Sequence, residues 1–355
     1  MDDLTSDNTS AMASELLEAL RLANSGSAAS YAADEWTSEL QRRLSHLFER
    51  ECAIFITATG TAANALSIAA LCPPWKRALC HRFSHIMENE SGAPEALSGG
   101  GKLHAPPRAS DRINAEDLRI ELARHTPNDP HTPHIGLVTL SQATESGTIY
   151  RAGEIGELSA IAHAAGAGLH IDGARFANAL VTLNIAPGDA SWKLGCDGLS
   201  LGVAKNGGAI GDLIVLFDLE RAEEFRYRQM RAGHLIAKNR FAAAQMLAYF
   251  EDDLWLNLAA SANAMSIELA RRLSALGLEL AAPVEANEVF VLLPPALVQG
   301  VQATGRSLKL VGPERFAIAS SARGDRLVAR FVTSWNTRIE TLAALADDLA
   351  RHVPA

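Results

Sequence analysis

The stretch "CAIFITATGTAANALSIAAL", Cys52 to Leu71, decides how this chain folds. Its first part, Ala53 to Thr57, is a short apolar run of the kind that forms a buried strand. Its second part is rich in alanine and leucine and reads as a helix. Thr59, Gly60 and Thr61 stand between them as a tight turn, and Pro73-Pro74 stops the helix. Working outward, the same alternation repeats. "RALCH" is a short strand, "AEDLRIELARH" a helix and "HIGLVTLS" a buried strand. A helix over Gly153 to Ala165 leads to the strand "GLHI" and a helix starting near Gly173. "CDGLSLG" and "AIGDLIVLF" add two strands with "VAKNGG" between them. Up to about residue 220 this predicts an α/β fold with a mostly parallel sheet covered by helices.

Upstream lie two amphipathic helices, "SELLEALRLAN" and Asp34 to Glu49, the second with Leu40, Leu44 and Leu47 on one face. Residues 98 to 111, "SGGGKLHAPPRASD", read as a glycine- and proline-rich connector. Leu219 to Ala275 is helix-rich. The tail then changes character, with strands at "NEVFVLLP", "RFAIAS" and "LVARFVTS" and a last helix in "NTRIETLAALADDLARHV" capped by Asn336-Thr337. The expected division is an N-terminal segment over 1–25, a large domain over 26–250 and a small α+β domain over 251–355.

Bulk properties narrow the function. A chain of 355 residues, 48% of them hydrophobic, is ample for a large core. A net charge of -9 argues against nucleic acid or an anionic membrane as the main partner. Cys52, Cys72, Cys80 and Cys196 are too scattered for a disulfide framework or a zinc cluster. "MDDLTSDNTS" has neither the basic flank nor the apolar run of a secretory signal, and nothing approaches a membrane span. A cytoplasmic protein is expected.

Four local features carry chemistry. The turn at Gly60 and Thr61 presents free backbone N–H groups and a helix dipole, which suit a phosphate; it equally suits a glycine turn with a threonine cap. "CHRFSHIMENESGAPE" gathers His81, His85, Glu88 and Glu90, open to a metal, to a histidine ring stacked on an aromatic ligand, or to an ordinary polar loop. In "LHIDGARFANAL", Asp172 leaves a buried strand where it could pair with a protonated heterocyclic nitrogen, or merely cap the next helix. Lys205, in "LSLGVAKNGGAIGDLIV", sits between two strands among small residues. There an amine can form a Schiff base, with Gly207, Gly208 and Gly211 letting the backbone turn around it. Each feature alone has a plain structural explanation. Together and in this order they match what pyridoxal phosphate needs: a phosphate turn, a ring cover, a partner for the ring nitrogen and a lysine for the aldehyde carbon.

The chain resembles the threonine aldolase family of fold type I (aspartate-aminotransferase-like) pyridoxal phosphate enzymes. The likeness runs through "SDNTS", "SYAADEWT", "TGTAANAL", "SHI", "HIDGARFANA", "AKNGG" and "ARFVTSWNT". It implies that Lys205 carries the cofactor, Asp172 meets the pyridine nitrogen, His85 stacks on the ring, and Gly60 and Thr61 hold the phosphate. Ser6, Arg175 and Arg330 match positions that grip the substrate carboxylate and its surroundings, with Arg175 also near the cofactor, and Tyr31 matches a position close to the site. The implied reaction cleaves the Cα–Cβ bond of a β-hydroxy-α-amino acid, giving glycine and an aldehyde. His85 is the candidate to handle the hydroxyl proton, beside a stacking-only role.

Two departures matter. "QATESG" replaces the family's asparagine-threonine-histidine run, which sets Thr144 near the position of a second substrate-side histidine. "VAKNGG" and "RAGHLIAKNRFAAAQ" look more like the branch acting on phenylserine-type substrates. The family pattern also implies a dimer or tetramer, an N-terminal segment ordered by the site, and a basic residue reaching the partner's phosphate, for which Arg228, Arg231 and Lys238 are candidates. His170, two residues before Asp172, is expected either to support it or to fill the core. The rival readings are another pyridoxal phosphate lyase, by β-elimination or decarboxylation, and a non-catalytic protein that keeps the fold.

Overall fold

The computed structural model describes residues 4–107, 112–125, 129–316 and 323–352. Seven strands form one sheet: β1 (Ala53–Thr57), β2 (Arg77–Cys80), β3 (Lys102–His104), β4 (Ile135–Ser141), β5 (Gly168–Gly173), β6 (Gly198–Leu201) and β7 (Asp212–Leu216). Their order is β1-β7-β6-β5-β4-β2-β3. Strands β3, β2, β4, β5 and β6 run parallel, while β7 is antiparallel to both neighbours. The central parallel strands are buried almost throughout, which is why they read as continuous apolar runs rather than alternating ones. The α/β class expected from the alternation is the one observed.

Reversing β7 lets the chain leave β6, form the Lys205 loop and return within a few residues. That return is tight. Gly211 has φ +74°, and a Cβ there would sit 2.2 Å from the Thr57 carbonyl oxygen. No other residue type fits without moving β1.

The connector over 98–111 is less irregular than its composition implies. Lys102–His104 adds β3 to the edge of the sheet, paired in parallel with β2, while 108–111 lie outside the described residues. Three residues are too few to show a period in the sequence.

A second sheet follows, β8 (Glu279–Leu280), β9 (Glu288–Leu293), β10 (Lys309–Val311) and β11 (Leu327–Val332), antiparallel and ordered β10-β11-β9-β8. Its core includes Leu273, Val291, Phe331 and Leu342, and Leu4 joins it from the chain start. Val332 N donates to the Leu4 carbonyl at 2.7 Å, so the polar N-terminal segment is tied to β11. Most of the strand expected at "RFAIAS" falls on 317–320, outside the described residues; Lys309–Val311 pairs with β11 instead. The last helix starts at Ile339 with Arg338 at its N-cap. Asn336 and Thr337 do not cap it. Their side chains accept from Ser334 Oγ at 2.9 Å and Ser334 N at 2.8 Å, closing a turn after β11, because such short polar groups bond locally as readily as they cap. Among the described residues no helix is long and apolar enough to cross a membrane.

Gly211→Ala should cost about 2 kcal/mol of stability, the usual scale for forced left-handed backbone. Gly166→Ala, also at positive φ (+71°) but with nothing within 4 Å of where its methyl would sit, should cost less. Urea denaturation of both variants checks the order; equal losses would mean the Thr57 clash does not matter.

Candidate active site

The sheet places the predicted residues along one edge. Strands β1, β2, β4, β5 and β6 end there: Gly60, His85, Glu145 and Lys205 follow β1, β2, β4 and β6, and Asp172 stands at the end of β5 itself. Register confirms the alignment: Ser141 pairs with Asp172, Asp172 with Ser200, and Thr57 with Asp212. The crevice beyond the carboxyl ends of parallel strands is where α/β sheets hold ligands.

Thr59 caps the helix Gly60–Leu71, its Oγ1 accepting from Ala62 N at 3.1 Å. The threonine cap is therefore real, and it leaves the N–H groups of Gly60 and Thr61, which no intrahelical carbonyl reaches, for another acceptor. Behind the turn, Ala58 N donates to His234 Nδ1 at 3.3 Å and Gln229 Nε2 donates to the Ile56 carbonyl at 2.6 Å. The segment carrying Arg228 and Arg231 is thus packed against β1 and the turn before Gly60, with both arginines and Lys238 exposed.

Asp172 is buried and does not cap a helix. Its Oδ1 accepts from Ala174 N at 3.1 Å, and the next helix begins only at Phe176. Its Oδ2 accepts from Asn64 Nδ2 at 2.9 Å. Asn64, one turn into the helix from Gly60, also donates to Glu90 Oε1 at 2.9 Å, and that same oxygen lies 2.9 Å from His85 Nδ1. A chain of hydrogen bonds, His85–Glu90–Asn64–Asp172, thus joins His85 to the strand-end acid. Burial pushes the Glu90 carboxyl up, offset in part by His85 and Asn64. Among the described residues no group of three or more histidine, cysteine, aspartate or glutamate side chains is placed to hold a metal ion.

His170 fills the core behind Asp172. It is fully buried, its Nε2 lies 3.0 Å from Ser200 Oγ, and its Nδ1 has no partner. Burial lowers its pKa to about 4, with Asp172 offsetting part of the shift, so the ring is neutral.

Lys205 is half-buried in a loop braced from below. Asn206 Nδ2 donates at 2.8 Å to both Tyr249 Oη and the Trp255 carbonyl. Asp212 Oδ1 accepts from Val203 N at 2.6 Å and Ala204 N at 3.0 Å, and its Oδ2 lies where a Cβ on Gly60 would be 3.0 Å away. Burial raises the Asp212 pKa; those two N–H groups and Lys205 offset part of it.

Arg175 and Asp172 are not each other's partners. Arg175 donates through Nε and Nη2 to Asp7 at 2.8 and 3.1 Å, and its Nη1 lies 3.4 Å from Glu288 Oε2. Arg330, on β11, donates to Glu288 Oε1 from Nε at 2.8 Å and Nη2 at 2.7 Å. The two arginines therefore meet at one buried carboxylate, with Ser6 beside them as the residue preceding Asp7. Burial alone would raise the Asp7 pKa, but Arg175 and Lys205 hold it below the usual range. Tyr31 is not brought into this group. It is exposed, with its N–H on the Ala237 carbonyl and its own carbonyl accepting from Arg226 at 2.6 Å.

Thr144 does not face the site either. It is buried, its Oγ1 2.9 Å from Thr148 Oγ1, in a turn closed by Gly147. The neighbouring Glu145 faces it instead. Four acids of the site, Asp7, Glu145, Asp212 and Glu288, escape a reading of the sequence, and a fifth, Glu90, enters it only as a candidate metal ligand. Asn64 carries no local signal at all.

The donor set fits pyridoxal phosphate. It holds a free helix N-terminus for a dianion, a buried carboxylate for a ring N–H, an imidazole for a ring face and an amine for an aldehyde.

Comparison with known proteins agrees. A family model described as beta-eliminating lyase matches residues 3–294. The chain is 39% identical over 346 residues to a low specificity L-threonine aldolase of Pseudomonas aeruginosa, covering 97% of this chain and 96% of that one. It is 36% identical over 350 residues to a low specificity L-threonine aldolase of a Pseudomonas species, with 97% and 96% covered. A solved Leishmania major threonine aldolase superposes with TM-score 0.90 at 24% identity, covering both chains fully. A Sphingomonas wittichii serine palmitoyltransferase aligns with TM-score 0.67 at 15% identity over 99% and 91% of the two chains. These two structures speak for the fold.

The neutral His170 has a measurable consequence. Its folded pKa of about 4 lies below the unfolded 6.5, so the unfolded chain takes up more protons and stability falls as pH drops through that window. The stability gap between wild type and His170→Gln should shrink by about 3 kcal/mol between pH 7 and pH 4. Denaturant titrations at the two pH values measure it, and a constant gap would contradict a buried neutral ring.

With the edge-of-sheet site, the fold and the sequence likeness in agreement, the chain belongs to the beta-eliminating lyase family, within its threonine aldolase group.

Proposed function

We propose that this protein is a pyridoxal phosphate-dependent aldolase that cleaves β-hydroxy-α-amino acids of the L-threonine or L-phenylserine type to glycine and an aldehyde. The observation that carries the reading is the convergence of Gly60, His85, Asp172 and Lys205 on one sheet edge beside the paired Arg175 and Arg330. Lys205 would hold the cofactor by its aldehyde carbon, Gly60 and Thr61 its phosphate, Asp172 its ring nitrogen and His85 its ring face. When bound, the cofactor supplies an electron sink for the carbon left when the Cα–Cβ bond breaks.

This chain's own residues do the rest. Arg175 and Arg330, with Ser6, orient the substrate carboxylate, and a fixed carboxylate decides which bond at Cα stands ready to break. Glu288 holds the two guanidinium groups together before substrate arrives. Glu90 holds the His85 ring from behind, and Asn64 keeps Asp172 turned toward the crevice.

Under this reading residues 26–250 form the cofactor domain, 251–355 the small domain that supplies Arg330, and 1–25 a segment drawn to the site through Asp7. The protein works in the cytoplasm as a dimer or tetramer. Support for self-association comes from the exposed Tyr227, Met230, Arg228 and Arg231 of the helix Phe225–Arg231, and from the exposed Tyr31, whose carbonyl accepts from Arg226 of that helix. Phenylserine-type substrates are favoured by the motifs around Lys205 and by the absence of a histidine from "QATESG".

A panel of L-threonine, L-allo-threonine and phenylserine, read by glycine and aldehyde release, tests the reaction. Ammonia and a keto acid in their place would make the enzyme an eliminating lyase. Lys205→Ala should lose the visible absorbance of lysine-bound cofactor and at least ~10³-fold of the cleavage rate.

A further inference from the structure

We infer that Glu145 takes the β-hydroxyl proton of the substrate, an assignment that rests on the aldolase reading. Glu145 follows β4 at the edge where Ser141 pairs with Asp172. One oxygen is anchored: Oε1 accepts from His85 N at 2.7 Å and from Ser141 Oγ at 2.8 Å. The other, Oε2, bonds to no other described residue and is not among the sealed, unpartnered atoms of the core. A carboxylate fixed at one corner and open at the other presents a lone pair in a set direction.

The groups around it define where it points. Asp172 lies across the β4–β5 pairing, Arg175 on the loop after β5, His85 on the short helix His85–Glu88, and Cys80 at the end of β2. These include the proposed partners of the ring nitrogen, the substrate carboxylate and the ring face, so a substrate held by them has its side chain beside Glu145. His85, by contrast, has Nδ1 tied to the buried Glu90, which suits a ring held flat over another.

The step balances. The hydroxyl proton passes to Glu145, the O–H pair becomes the new C=O bond, and the Cα–Cβ pair stays on Cα as the aldehyde leaves. Cα then takes a proton from solvent to complete glycine, and Glu145 returns its own proton to solvent. Burial and the nearby Asp172 raise the Glu145 pKa, which makes the ionised form a stronger acceptor than an exposed glutamate. Cleavage therefore falls as pH drops through that raised value.

Glu145→Gln keeps an acceptor for the His85 N–H and removes the base. It should lower kcat for L-threonine by about 10²–10⁴-fold and abolish the acid limb of kcat/KM against pH. Cofactor absorbance and the glycine dissociation constant, read by spectral titration, should stay within about twofold, while Glu145→Asp recovers part of the rate and the limb. The assignment is overturned if Glu145→Gln keeps kcat and the acid limb. It is equally overturned if the variant only loses cofactor or melts earlier, with kcat per bound cofactor unchanged. A wild type that releases no glycine from any of the substrates would sink the aldolase reading itself, and the role of Glu145 with it.

Discussion

Parallel strands that share one direction end on one edge, and most of this structure follows from that constraint. Strands β2, β4, β5 and β6 deliver His85, Glu145, Asp172 and Lys205 to the same side without any of these residues being near another in sequence. The helix from Gly60 then points its N-terminus at them, and Asn64 fastens it there by bonding Asp172 and Glu90 at once. The reversed β7 completes the edge. It brings Asp212 under Gly60 and lets the Lys205 loop close in a few residues, which requires glycine at 211.

The charge balance of the crevice is unusual. Asp7, Glu90, Glu145, Asp172, Asp212 and Glu288 stand around Lys205, Arg175 and Arg330. Burial raises the pKa of Glu90, Glu145 and Asp212, whereas Asp7 is held low by Arg175 and Lys205. Buried carboxylates are tolerated here because each has a donor: Asn64, Ser141, two backbone N–H groups or an arginine. The arginines are preorganised by Glu288 rather than left free, so under the proposed function a substrate carboxylate would meet a fork already in position.

Much of this was legible in the chain. The alternation of short apolar runs with helical segments announced a parallel sheet, since buried strands need unbroken apolar faces. The turn at Gly60, Asp172 at a strand end and Lys205 among glycines were readable because each sits where local sequence changes period. Short elements were not: β3 and β10 have three residues each, too few for any period. The cap expected from Asn336-Thr337 failed because the same side chains could close a turn one step earlier.

The partners were decided elsewhere. Asp7 reaches Asn287 across most of the chain length and Arg175 across nearly half of it, and Arg330 finds Glu288 only because β11 lies beside β9. Glu145 rather than Thr144 faces the crevice because Thr144 is bonded to Thr148 within its own turn. The sequence by itself determined the strands, the turns and the chemical inventory, which depend on local periodicity and backbone stereochemistry. Only the tertiary structure decided which acid meets which base, because a hydrogen bond between distant residues is set by strand order and register, and neither is written in any local pattern.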